Sequence, residues 1–201
     1  MPVKSPDLHG NAPDDSPAVL LLIDWINDLE FDVGPALLTH ALPAADRTAA
    51  LKQRAAAAGI SAIYVNDNFG RWRSDFAHQV RHCLDDGVRG RPLAERLKPG
   101  EHDYFVLKPK HSGFYCTTLE LLLEHLGAHT LVVTGLTTDN CVLRTATDAH
   151  MRDFRVVVPS DCAAAADPAD HRRALEQAAH VLGADTRPSP ALDLAELRTR
   201  R

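Results

Sequence analysis

The segment LVVTGLTTDNCVLRTATDAH, residues 131–150, decides the fold. It begins with an apolar run of strand length, passes through a Gly/Thr/Asp turn and continues in a pattern typical of a helix. Cys141 stands where the turn becomes the helix. Its thiol is therefore either a small buried side chain or a nucleophile, and the segment alone leaves both readings open.

The same alternation of strand-like and helix-like segments extends over most of the chain. The strand that leads to Cys141 is predicted at residues 130–136. Further strands are predicted at residues 18–24, 61–67, 104–108 and 155–161, and a short sixth one near 184–187. Helices are predicted near residues 35–58, 117–126, 139–152 and 168–182. This order predicts an α/β fold: a three-layer α/β/α sandwich with a mostly parallel, Rossmann-like sheet of five or six strands.

Length and composition narrow the functional classes. We expect residues 1–16, rich in Pro, Asp and Ser, to form a flexible N-terminal arm and residues 17–201 to form a single domain. The formal net charge of -5 gives no electrostatic basis for nucleic-acid binding. Since no secretory signal or membrane-spanning run is present, we expect a cytoplasmic protein that does not bind membranes.

The four cysteines are widely scattered and form no CxxC pair, so we expect reduced thiols. Cys83, Cys116 and Cys162 are interpreted as small buried side chains. Cys141 differs from them because reactive side chains stand at the ends of the neighbouring predicted strands.

Chemically reactive side chains follow the predicted strands. Ligands of open parallel α/β sheets bind beyond the carboxyl ends of the strands. Asp24 ends the first strand, Lys108 ends the third, and the fourth leads to Cys141. A helix N-terminus and a nearby ammonium both lower the pKa of a thiol, and a carboxylate can carry its proton to a leaving amine. The combination predicts acyl transfer from an amide. The alternative is that the three residues have no catalytic role: the Asp caps a turn, the Lys is solvated and the Cys is packed in the core.

Three separated motifs carry a resemblance to a known family. LLLIDWINDLEF (20–31), VLKPKHSGFYCTTLELLL (106–123) and LVVTGLTTDNCVLRTATDAHMRDFRVVVPSDCAAA (131–165) resemble, in order and spacing, the signature segments of the isochorismatase-like cysteine hydrolase superfamily. This superfamily includes nicotinamidases and N-carbamoylsarcosine amidohydrolases. The resemblance implies a catalytic triad of Asp24, Lys108 and Cys141, an oxyanion hole of the Thr137 and Cys141 backbone N–H groups, and a cis peptide between Leu136 and Thr137.

The departures from relatives also carry expectations. Nicotinamidases similar to this chain bind a metal through an Asp-x-His after the second strand, where this chain reads Asp67-Asn68-Phe69. We therefore expect no metal and no other cofactor. True isochorismatases lack the nucleophilic cysteine, so Cys141 argues against vinyl-ether cleavage. Ile26 replaces the usual Gln of the first motif, which argues against a flat pyridine-type substrate.

The walls of the substrate pocket are predicted from aromatic and apolar residues near the strand ends. Leu29, Phe69, Trp72 and Tyr115 are the candidates for substrate binding. Residues 68–100, a long connection rich in charges, are expected to form a lid or pocket wall.

Together these observations predict a metal-independent cysteine hydrolase. It would cleave a non-peptide C–N bond of a small amide, carbamoyl or lactam compound through a thioester acyl-enzyme. The alternatives are a metal-dependent nicotinamidase-type amidase and a non-catalytic binding protein on the same fold. The expected partners are a small-molecule substrate and further copies of the chain, because the resemblance implies a homo-oligomer, a dimer or tetramer.

Overall fold

A parallel sheet forms the centre of the molecule. The computed structural model describes residues 15–199. The strands in this range are β1 (Ala18–Ile23), β2 (Ser61–Asp67), β3 (Tyr104–Lys108), β4 (Thr130–Leu136), β5 (Arg155–Val157) and β6 (Ala163–Ala164). They lie in the order β3-β2-β1-β4-β5, and β6 pairs with β4. Every named pairing is parallel, which confirms the predicted sheet.

Helices connect the strands. They are α1 (Gly34–Ala57), α2 (Phe76–Asp85), α3 (Arg91–Arg96), α4 (Leu119–His125), α5 (Leu143–His150), α6 (Pro168–Leu182) and α7 (Leu194–Leu197). A π-helical turn (Thr138–Val142) precedes α5, and a 3-10 turn (Ser189–Ala191) precedes α7. The predicted helix at 139–152 is therefore interrupted at its start, where the chain leaves β4.

The alternation of side chains along β1 separates two hydrophobic cores. Leu20 and Leu22 pack on the face that α1, α2, α3 and α7 cover. Val19, Leu21 and Ile23 pack on the opposite face, against α4, α5 and α6. Because successive side chains of a strand point to opposite faces, one continuous apolar strand supplies both cores and requires a helical layer on each side.

The order of the strands reverses between β1 and β4. From β1 the chain adds β2 and β3 on one side, and then crosses to add β4 on the other. Gly135 of β4 pairs with Ile23 at the carboxyl end of β1. A Cβ atom at Gly135 would lie 2.1 Å from the Ile23 carbonyl oxygen, so only glycine allows the two strands to approach this closely.

The sixth strand lies elsewhere than predicted. Near residues 184–187 only an isolated bridge joins Asp185 to Val157, whereas β6 pairs with the carboxyl half of β4. The predicted strand at 155–161 is also shorter than expected, because β5 ends at Val157, and the carboxyl half of β4 pairs with β6 instead.

The N-terminal boundary also differs from the prediction. Of the predicted arm, residues 1–14 lie outside the described residues. Ser16, by contrast, is buried and its hydroxyl accepts a hydrogen bond from the Ser61 N–H. Among the helices of residues 15–199, none is long and apolar enough to cross a membrane.

Cys83 and Cys162 are buried as expected, whereas Cys116 is exposed, because it lies in the turn before α4 rather than under a helix.

Candidate active site

Three side chains predicted to act together meet at the carboxyl edge of the sheet, beyond the switch between β1 and β4. The Lys108 Nζ lies 2.8 Å from the Asp24 Oδ2 and 3.6 Å from the Cys141 Sγ. Lys108 is inaccessible to solvent, Asp24 is 4% exposed and Cys141 is 9% exposed. A carboxylate, an ammonium and a thiol therefore lie together in one site that is largely shielded from solvent.

The backbone around Asp24 fixes the direction of its carboxylate. Asp24 has a positive φ of 51°, which turns the chain sharply at the end of β1. Its Oδ1 accepts a hydrogen bond of 2.6 Å from the Asp67 N–H, at the end of the neighbouring strand. Because Oδ1 is held by the backbone, Oδ2 is left to face Lys108.

Burial and mutual attraction oppose each other in this pair. Burial raises the pKa of the Asp24 carboxyl, and the nearby Lys108 ammonium reverses this only in part. For Lys108, burial lowers the pKa, but the carboxylates of Asp24 and Asp67 outweigh it and leave the pKa above its ordinary value. The ammonium therefore stays charged at neutral pH, beside a carboxylate that is a stronger base than one in water.

The thiol differs from the sequence-based expectation. Burial and the Asp24 carboxylate raise the pKa of the Cys141 thiol to about 12, and Lys108 offsets only part of this. The expected lowering fails because the site is drier than a helix N-terminus open to solvent. At neutral pH the sulfur carries its proton and hydrogen-bonds to Asp24, so attack on a carbonyl requires a base to remove that proton.

Two residues at the site were missed in the sequence. The Asp67 Oδ2 lies 3.5 Å from the Lys108 Nζ, and the His111 Nδ1 lies 3.8 Å from the Cys141 Sγ. Asp67 ends β2 at the same edge, so the rule that selected Asp24 and Lys108 also applies to it. No periodic signal marks His111; it reaches the thiol because the chain bends after Lys108.

The turn between β4 and α5 carries the predicted oxyanion donors. The Leu136–Thr137 peptide bond is cis. The Thr137 carbonyl accepts from the N–H groups of Asn140 and Val142. Thr138, next in the turn, forms a 2.8 Å hydrogen bond with His171 of α6. The turn is thus held by its own hydrogen bonds and tied to the helical layer.

The predicted substrate-binding residues have different environments. Leu29 is inaccessible to solvent and belongs to the core beneath α1, because its positive φ of 57° turns the side chain inward. Phe69 and Tyr115 are 44% and 55% exposed and line separate cavities, of about 210 and 780 Å³. Trp72 is 79% exposed beside a third cavity. Residues 68–100, the expected pocket wall, contain α2 and α3.

The residues after β2 do not fit a metal ion. The Asp67 Oδ1 accepts from the Phe69 N–H, its Oδ2 faces Lys108, and the Phe69 side chain has no donor atom. In the part of the chain that the structure describes, no three His, Cys, Asp or Glu side chains are grouped so that they would hold a metal.

Comparison with known proteins agrees with this architecture. Residues 18–186 match the family model of the isochorismatase domain. The chain is 36% identical over 166 residues to the uncharacterized isochorismatase family protein YaaI of Bacillus subtilis, covering 83% of this chain and 91% of YaaI. The maleamate amidohydrolase of Pseudomonas putida is 28% identical over 149 residues, covering 71% of this chain and 70% of that protein.

Solved structures show the same relationship. The N-carbamoylsarcosine amidase of Thermoplasma acidophilum superposes with a TM-score of 0.68 at 27% identity, covering 88% of this chain and 98% of that one. An isochorismatase family protein from Desulfovibrio vulgaris superposes with a TM-score of 0.70 at 28% identity, covering 89% and 97%. Because the family model matches most of the chain, the chain belongs to the isochorismatase family.

Proposed function

We propose that the protein is a cysteine hydrolase that cleaves a non-peptide C–N bond of a small amide, carbamoyl or lactam compound without a metal. The observation that carries the proposal is the contact of one buried ammonium with both a carboxylate and a thiol, at 2.8 and 3.6 Å. The names of two relatives, maleamate amidohydrolase and N-carbamoylsarcosine amidase, favour the same reaction class.

The first half of the reaction forms a thioester. Asp24 accepts the proton of Cys141 as the sulfur attacks the carbonyl carbon, because the thiol, with its raised pKa, is protonated at neutral pH. The N–H groups of Thr137 and Cys141 donate to the oxyanion that develops. Asp24 then returns the proton to the nitrogen of the leaving amine, the C–N bond breaks, and Cys141 stays acylated.

The second half releases the acyl group. Asp24 takes a proton from a water molecule as that water attacks the thioester carbonyl, and the C–S bond breaks when the tetrahedral intermediate collapses. The thiolate regains the proton from Asp24. Lys108 stays charged throughout, because it is inaccessible to solvent and faces two carboxylates, and it stabilises each state in which Asp24 is ionised.

A metal-dependent amidase and a non-catalytic binding protein are the competing functions. The proposed steps use no metal. The residues where a metal would bind do not fit one, since the Asp67 carboxylate contacts Lys108 and the Phe69 side chain has no donor atom. A purely binding role gives no reason to bury a proton acceptor against a thiol.

The deciding experiment is a screen of primary amides, ureido acids and lactams for release of ammonia or amine. We expect turnover without added metal and in the presence of a chelator, and a loss of at least about 10³-fold on Cys141→Ala. Cys116→Ala is the matched control, because Cys116 is exposed and lies in the turn before α4.

Mass spectrometry of the protein mixed rapidly with a substrate should show an acyl adduct on Cys141. Retained turnover in a folded Cys141→Ala variant would exclude the thioester mechanism. Turnover that disappears with the chelator would favour the metal-dependent alternative.

A further inference from the structure

An imidazole lies against the sulfur of the proposed nucleophile and has no part in the proposed steps. The His111 Nδ1 lies 3.8 Å from the Cys141 Sγ, and His111 is exposed on the loop that follows β3. A thiol and an imidazole within reach of each other can exchange a proton and form a thiolate–imidazolium pair. The neighbours of His111 decide whether such a pair can form here.

Arg144 fixes the orientation of the Asn140 side chain. The Arg144 Nε donates a 2.7 Å hydrogen bond to the Asn140 Oδ1. A guanidinium has no acceptor, so the atom of the Asn140 amide that faces Arg144 must be the oxygen. The Asn140 Nδ2 is the atom left to face His111, and it lies 3.2 Å from the His111 Nδ1.

This orientation assigns the tautomer of His111. An amide NH2 group only donates, so the His111 Nδ1 accepts the hydrogen bond from Asn140 and carries no proton. The ring proton then lies on Nε2. An unprotonated ring nitrogen has a single lone pair, and the hydrogen bond from Asn140 uses it. Asn140 and the Cys141 thiol therefore compete for one acceptor.

The thiol has another acceptor for its proton. Asp24, Lys108 and His111 are the titratable groups in contact with the sulfur. The Lys108 ammonium only donates, and the acceptor of His111 is taken by Asn140. The Asp24 carboxylate, to which Cys141 hydrogen-bonds, is the acceptor that remains.

We propose that Asn140, held by Arg144, is a positioning residue that occupies the lone pair of His111 and so directs the thiol proton to Asp24. The proposal rests on the proposed function for the role of Asp24 as proton acceptor. In the resting protein the hydrogen bond from Asn140 prevents a thiolate–imidazolium pair. Without that bond, the proton would pass from the Cys141 sulfur to the His111 Nδ1 and leave a thiolate beside an imidazolium.

Alkylation of Cys141 by iodoacetamide tests the proposal without any substrate. Every protein in the comparison carries Cys116→Ala, since Cys116 is exposed whereas Cys83 and Cys162 are buried, and the protein with this change alone is the reference. We expect Asn140→Ala to raise the alkylation rate at pH 7 at least about tenfold, because a thiolate is then present at neutral pH. The rate should also level off below about pH 9 in this variant, whereas it keeps rising in the reference.

His111→Ala separates a proton transfer from a loosened turn. The double variant Asn140→Ala/His111→Ala should react within about twofold of the reference rate, because no imidazole is left to take the proton. A merely structural role of Asn140 would raise the rate in the double variant as well. Gln177→Ala is the matched control and should leave the rate unchanged, because Gln177 is an exposed carboxamide that lines the same cavity as His111 and Arg144.

Two further measurements decide the question if Asn140→Ala does not fold. Arg144→Met releases the Asn140 amide and should raise the alkylation rate at least about threefold, again only while His111 is present. Nitrogen NMR of the reference protein with isotopically labelled histidine should show the ring proton of His111 on Nε2. The His111 signals are assigned by their loss in His111→Ala.

The outcomes separate the two proposals. An Asn140→Ala rate within about twofold of the reference, a rise that persists in the double variant, or a His111 proton on Nδ1 would overturn the proposal for Asn140. The expected alkylation rates without turnover of any amide would leave that proposal standing and count against the proposed function. Turnover that depends on Cys141, together with unchanged alkylation of Asn140→Ala, would do the opposite.

Discussion

Replacing Lys108 with Met tests whether the buried ammonium holds the site together. The substitution keeps most of the side-chain volume and leaves the Asp24 carboxylate buried without its partner at 2.8 Å. Removing one member of a buried ion pair typically costs about 3 to 5 kcal/mol. For a chain of this length that loss corresponds to a fall in Tm of about 6 to 20 °C.

The pH dependence of this loss has a definite sign. The pKa of Asp24 is already raised by burial, and loss of Lys108 removes the main opposing effect. The folded variant then binds a proton more tightly than the unfolded chain does, so the variant gains stability as the pH falls through the folded pKa. In the unsubstituted protein the pKa of Asp24 is raised less, because Lys108 opposes the effect of burial, so its stability changes less over the same range. The difference between the two proteins should therefore be larger at pH 7.5 than at pH 4.

Urea unfolding monitored by tryptophan fluorescence measures this difference, because Trp25 is inaccessible to solvent in the folded protein. Lys110→Met, at an exposed lysine, is the matched control and should change stability by less than about 0.5 kcal/mol. Adding Asp24→Asn to Lys108→Met should recover much of the loss, since no uncompensated charge remains. A Lys108→Met variant within about 1 kcal/mol of the unsubstituted protein at pH 7.5 would refute the reasoning.

Three further predictions concern the neighbours of this pair. Asp24→Asn should lower kcat by about 10² to 10⁴-fold, whereas His111→Ala should lower it less than tenfold; the reverse order would make His111 the base. Gly135→Ala should destabilise the protein by more than the roughly 1 kcal/mol expected for Gly87→Ala. Both glycines have a positive φ, but an added Cβ meets the Ile23 carbonyl at Gly135 and nothing within 4 Å at Gly87. Equal urea midpoints of the two variants would contradict this. The rate of Cys141 alkylation by iodoacetamide should keep rising between pH 7 and 9.5, because the pKa of the thiol is raised to about 12; a plateau below pH 9 would show that the thiol ionises earlier.

The sequence predicted strands well where apolar runs end abruptly. The bounds of β2, β3 and β4 match the predicted segments, and β1 ends one residue earlier, at Ile23. Asp24 and Lys108 were found by their position at strand ends, which can be read from the local sequence. Asp67 satisfies the same rule and was overlooked. The catalytic roles of these residues stay a prediction until turnover is measured.

Other features depend on contacts between distant segments. The pair of alanines that forms β6 has no periodic signal and becomes a strand because β5 stops short of the end of β4. Leu29 was expected in the pocket, but the turn after Asp24 directs it into the core. Gln79 lies in a connection without a recognisable pattern, and its hydrogen bond to the Asp67 carbonyl forms only once α2 packs beside the end of β2.

By itself the sequence determined the layers of the fold and the strand ends that supply the reactive groups, because hydrophobic periodicity and turn residues act over a few neighbouring positions. The tertiary structure alone decided the ionisation of those groups. The pKa of Cys141 is raised rather than lowered because packing of β1, β3 and the turn after β4 removes water from the thiol and places Asp24 against it. Desolvation and charge proximity are properties of the assembled site, and residue order does not encode them locally.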